Sequence, residues 1–102
     1  MTPDELRARP LPPSGLPAEV VALWHDAVGD WDAAHRIVQD IDGPRAARVH
    51  AYLHRKEGDA GNAAYWYRRA GRPVETGPLA DEWSRLAGEL LPPPTEHHDR
   101  NA

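Results

Sequence analysis

The sequence has no cysteine, so disulfide frameworks, thiolate metal sites and cysteine nucleophiles are all excluded. Serine is nearly absent: Ser14 and Ser84 are the only two. Neither stands in a GxSxG elbow, and no GxxxxGK[ST] or GxGxxG loop exists to cradle a phosphate, so the common hydrolase and nucleotide-binding signatures are missing. No stretch approaches the ~18 to 20 apolar residues that a membrane span needs. The opening run MTPDELRARPLPPSG has no apolar h-region. Together these absences predict a soluble, cytoplasmic chain with no membrane association. Period-two alternation is also missing, and the β-branched residues are scattered within helical patterns, which predicts an all-α protein.

Proline is present and unevenly placed. Eight of the eleven lie at positions 3, 10, 12, 13, 17, 92, 93 and 94, where they interrupt regular backbone hydrogen bonding. The expected organisation is a Pro-rich flexible leader over residues 1–16, a folded domain over 17–91 and a flexible polar tail over 92–102. Charge is uneven too. Residues 1–43 hold three Arg against eight Asp and Glu, residues 44–73 hold seven Arg and Lys against Glu57 and Asp59, and residues 74–102 are again acidic. A basic middle packed between acidic neighbours explains this pattern, and a surface for an anionic partner is the alternative.

Glycine and proline divide the folded part into five helical segments. The first runs from Ala18 to Val28 behind Pro17 and stops at Gly29. Asp30 or Asp32 caps the second, whose Trp31, Ala34, Ile37, Val38 and Ile41 repeat at three-and-four spacing until Gly43. Pro44 opens a third, Arg45 to Glu57, closed by Gly58. Asp59 caps a fourth, through Ala63, Trp66, Tyr67 and Ala70, ended by Gly71. Pro78 starts a fifth, which reaches Leu91.

Shifted by 29 positions the chain overlays itself: Gly29-Asp30 falls on Gly58-Asp59, Ala22 on Ala51, Ala34 on Ala63 and His25 on His54. These positions resemble the tetratricopeptide class of helical repeat, with small residues where two helices meet and a Gly-Asp corner between them. The segment YLHRKEGDAGNAAYWYRRAGRP also resembles a stretch that recurs in small bacterial proteins. The resemblance implies two antiparallel hairpins with a C-terminal capping helix, five helices in one compact bundle. Two copies fall short of the roughly three repeats that bury a continuous core, so an extended superhelix is not expected, and a homodimer is one way to complete the stack.

The residues with chemistry to offer are histidines and a basic aromatic run. His25 and His54 take equivalent places in the two copies, and His50 precedes His54 by one helical turn. They read first as buried, hydrogen-bonded histidines with Glu57, Asn62, Tyr65 and Tyr67 as partners. The four-residue spacing of His50 and His54 also lets both rings face one point, so they are candidate metal ligands, with His25, His35 or Glu57 as a third. His25, His50, His54 and Glu57 are likewise the candidates for acid/base work. No HExxH motif occurs, and no cofactor is expected. Glu96, His97, His98 and Asp99 are a possible adventitious chelator in the tail. Asn62, Tyr65, Arg68, Arg69 and Arg72 form a candidate binding surface. The leading expectation is a module that binds another protein or a peptide through that surface, with a metal-dependent or small-molecule enzyme as the alternative. Net negative charge and the lack of any recognition motif argue against nucleic acid.

Overall fold

The computed structural model describes residues 1–93, which form helices joined by turns and irregular loops, with no strand among them. Six helices follow one another: α1 Pro3–Arg7, α2 Ala18–Ala27, α3 Trp31–Gln39, α4 Pro44–Glu57, α5 Ala60–Ala70 and α6 Leu79–Leu90. The expected count was five, and the difference is α1, which lies inside the segment read as a leader. A capping box nucleates it: the Glu5 N–H donates to Thr2 Oγ1 at 3.1 Å and the Thr2 N–H donates to Glu5 Oε1 at 2.7 Å. Pro3 supplies a preset first-turn φ. Leu6 then points into the core, fully buried, where α1 packs on α2 and α6. Polar-tail residues from 94 onward, including the Glu96 to Asp99 cluster, lie outside the described residues.

The corners after α2 and α4 are built alike. Gly29 and Gly58 sit at φ 92° and 91°, a left-handed conformation that only glycine adopts without steric cost. The next N–H closes a six-residue ring in both: Asp30 donates to the His25 carbonyl at 2.8 Å, and Asp59 to the His54 carbonyl at 2.9 Å. Each aspartate then caps the following helix, Asp30 accepting from the Ala33 N–H and Asp59 from the Asn62 N–H.

The main core runs between α2, α4 and α6, with Val20, Leu23, Val49, Leu53 and Leu86 fully buried. Burial of each such side chain is worth about 1.5–3 kcal/mol. A smaller cluster of Ala51, Ala63 and Tyr67 lies between α4 and α5. Three indoles tie segments together through backbone carbonyls: Trp24 donates to Arg9, Trp31 to Leu53 and Trp83 to Leu23. Each satisfies its one polar atom while burying a large ring.

Two acids are buried within this frame. Asp26 accepts from the Tyr52 hydroxyl at 3.0 Å and from Lys56 Nζ at 2.9 Å. Glu82 accepts from Arg55 at 2.8 Å and from the Tyr67 hydroxyl at 2.5 Å. Glu82 is therefore more than the first-turn acid of α6 that its position suggests. It joins α4, α5 and α6 at one point, and Arg55 extends the link to the Gly77 carbonyl. Burial and the neighbouring carboxylates push both tyrosine hydroxyls well above their ordinary pKa, which keeps them as donors.

Candidate metal centre

The three-and-four spacing of α3 and α4 sets His35 on one helix opposite His50 and His54 on the other. Where these helices pack, one ligand-type atom from each of the three imidazoles falls within 4.8 Å of the other two. His35 Nε2 and His50 Nε2 are 3.1 Å apart, one donating to the other. His50 and His54 stack at 4.9 Å between ring centroids, and His35 meets both edge-on. His50 and His54 are buried, whereas His35 is partly open to solvent.

Aromatic walls hold the rings in place. Trp31, fixed by its bond to the Leu53 carbonyl at 2.8 Å, stacks nearly parallel on His35 at 4.9 Å. Trp66 stacks on His50 at 4.0 Å. Glu57, one turn beyond His54, holds its Nδ1 at 2.7 Å. A carboxylate only accepts, so the proton of this bond sits on Nδ1, and Nε2 is the atom left to face a metal.

Electrostatics favours the uncharged form of two of the three rings. Burial first, and then the neighbouring His35 and His54, lowers the His50 pKa to about 4. His35 is lowered too, chiefly by burial and next by His54, against weaker opposing pulls from Glu57 and Asp32. At neutral pH these two imidazoles are unprotonated and able to coordinate.

The remaining candidates scatter. His25 lies on α2, edge-on to Trp24 at 5.1 Å, and is not part of the three-histidine group. Equivalence in the repeat therefore does not carry His25 to the place of His54: the third imidazole comes from α3. A second group, His54, Glu57 and Asp59, shares His54 with the first, but Asp59 is engaged in capping α5. Asn62 belongs to that cap, its Nδ2 donating to Asp59 Oδ2 at 2.8 Å. Tyr67 is taken up by Glu82 and does not approach the histidines as a hydrogen-bond partner.

On the outer side of α5, Arg69 donates to the Tyr65 hydroxyl at 2.9 Å and lies over the rings of Tyr65 and Trp66. Arg72 pairs with Glu89 of α6 at 3.1 Å. Arg68 is exposed, and among the described residues neither Arg68 nor Arg69 has a carboxylate partner. Trp66 and Arg69 also line a cavity of about 150 Å³ with Gln39 and Ala47, positions close to one turn from His35 and His50. No helix is long and apolar enough to cross a membrane among the described residues. No protein-family model, curated protein or solved structure matches the chain.

Proposed function

We propose that this chain binds a divalent transition-metal ion, zinc being the best fit, through His35, His50 and His54. The observation that carries the reading is the convergence of three imidazoles from two helices inside 4.8 Å. Metal–nitrogen bonds of about 2.0–2.1 Å in a tetrahedron set ligand nitrogens about 3.3 Å apart, and the His35–His50 separation of 3.1 Å is close to that value. Imidazole donors suit zinc, copper, iron or nickel and not the hard cations. Glu57 on His54 Nδ1 is the outer-shell carboxylate that fixes a ligand's tautomer and raises its basicity. Three protein ligands leave one position for water, and an ion holding water there supports metal-assisted hydrolysis as the reaction class.

Equilibrium dialysis of the untagged, metal-free chain against zinc tests the reading, with His97→Ala and His98→Ala in the background to remove tail chelation. One ion per chain is expected, and it disappears when His35→Ala and His50→Ala are added. Stoichiometric binding that survives those two substitutions, or that vanishes with the tail substitutions alone, overturns the assignment.

A second reading draws on the matched corners at Gly29 and Gly58 and on Arg68 and Arg69, which have no carboxylate partner among the described residues, beside the exposed Tyr65. In it, α2 with α3 and α4 with α5 are tetratricopeptide-like hairpins capped by α6, and the α5 surface of a cytoplasmic module receives an acidic peptide or protein, with or without homodimerisation. Loss of acidic-peptide binding in an Arg68→Glu, Arg69→Glu variant with unchanged circular dichroism supports it, and unimpaired binding counts against it.

A further inference from the structure

Two residues along a helix amount to a rotation of about 200°, so Tyr52 and Lys56 stand on the side of α4 opposite His50 and His54. There α1, α2, α4 and α6 line a second cavity, an open cleft of about 230 Å³. Its accessible apolar surface comes from Leu79, Ala80 and Ala27 over the buried Trp83 ring, and its charged surface from Arg7, Lys56 and Asp26.

The charges do not cancel. Asp26 is 3% exposed, with one oxygen on Lys56 Nζ at 2.9 Å and the other on the Tyr52 hydroxyl at 3.0 Å. It offsets one cation and leaves the lining with one net positive charge. Arg7 pairs with Asp4 at 2.6 Å, but the Asp4 side chain is 88% exposed. Such a screened surface pair is weak, and a carboxylate arriving from solvent replaces it at little cost. The Arg7 guanidinium also lies 4.9 Å over the Trp83 ring, which holds its planar fork at the edge of the cleft. Volume sets the upper size: an enclosed apolar cavity of about 150 Å³ is known to take up benzene, and this open cleft of about 230 Å³ admits a ring with a carboxylate attached.

We infer that the cleft binds a small organic monocarboxylate with an aromatic or branched apolar body, its head on Arg7 and Lys56 and its body on Leu79, Ala80 and Ala27. The pairing is one of complementarity: one surplus positive charge for one negative charge, and an apolar wall for an apolar body. A dicarboxylate brings a second charge that finds no partner in the lining, and desolvating it is costly. The site is separate from the imidazole cluster and does not depend on whether that cluster holds a metal.

Titration of the full chain with benzoate, followed by calorimetry and by tryptophan emission, tests this. Saturable one-to-one binding is expected, weakened about tenfold by Arg7→Gln, as the loss of one charge-assisted contact implies. Ala80→Phe, at the exposed edge of the same cavity, blocks it while helical circular dichroism is retained. Because Arg7→Gln alters the short α1, Lys56→Gln on the longer α4 serves as the second variant and weakens binding in the same direction. Benzyl alcohol, matched in size but uncharged, binds at least about tenfold more weakly. The absence of saturable binding, equal affinity for the alcohol, or indifference to both cation substitutions overturns the inference.

Discussion

His50 and Tyr52 are separated by one residue on α4 and serve opposite sides of it: the imidazole of His50 meets His35 Nε2 at 3.1 Å, while the hydroxyl of Tyr52 donates to Asp26 at 3.0 Å. Helix α4 is thus the partition of the molecule. It carries His50 and His54 toward α3 and α5, and Tyr52 and Lys56 toward α2, with each pair in register because four residues nearly complete a turn.

Glu57→Ala is expected to weaken zinc binding by about 10- to 100-fold, the usual effect of removing an outer-shell carboxylate from a ligating histidine. Competition against a chromophoric chelator measures it. An unchanged affinity would mean that the 2.7 Å contact with His54 does not orient the ring for a metal.

Leu6→Ala is expected to destabilise the fold by about 2–5 kcal/mol, the range for a fully buried leucine, even though α1 has only five residues. Urea denaturation provides the measurement. A loss below about 0.5 kcal/mol, the level of an ordinary surface change, would show that α1 contributes nothing to the core.

Gly58→Ala is expected to cost about 1–2 kcal/mol, because a Cβ at φ 91° is strained against its own backbone. No other atom lies within reach of that Cβ, so the cost is conformational and not a clash. Gly58→Asn should cost less, since asparagine tolerates this region better. Thermal melts that show equal losses for the two variants would contradict the account.

Glu89 gives a pH signature. Its hydrogen bond from Arg48, joined by the charges of Arg48 and Arg72, holds the carboxyl below its ordinary value of 4.5. The folded state therefore prefers the ionised form, so the stabilisation is complete well above pH 4.5 and fades as pH falls below it. Because the Glu89 side chain is 45% exposed, Glu89→Gln should cost no more than about 1 kcal/mol at pH 7. The gap between variant and parent should close in acid, and a gap that widens there would reverse the sign of the argument.

The helices were legible because glycine and proline act locally. Gly29, Gly43, Gly58, Gly71, Pro44 and Pro78 bound five segments to within a residue or two of the observed ends, except that α3 stops at Gln39 and leaves Ile41 beyond it. α1 also had a local signal, the Thr2-x-x-Glu5 pattern with Pro3 at its start, which the surrounding prolines obscured. Two of the three clustered imidazoles were legible too, since His50 and His54 lie four apart on one helix. The third was not. Nothing local distinguishes His35 from His25 as the third member, because the choice depends on how α3 packs against α4, and the 29-residue equivalence points to His25 instead. Nothing local marks Asp26 and Glu82 as buried acids either: only the tertiary approach of Tyr52, Lys56, Arg55 and Tyr67 buries them.

Trp31 and Trp66 lie flat against His35 and His50, at 4.9 and 4.0 Å. An indole's emission responds strongly to the charge and electronic state of a stacked imidazole, so this end of the molecule carries an optical reporter of its own. Ultraviolet excitation of a Trp24→Phe, Trp83→Phe variant, which keeps only these two of the four indoles, would follow events there in real time.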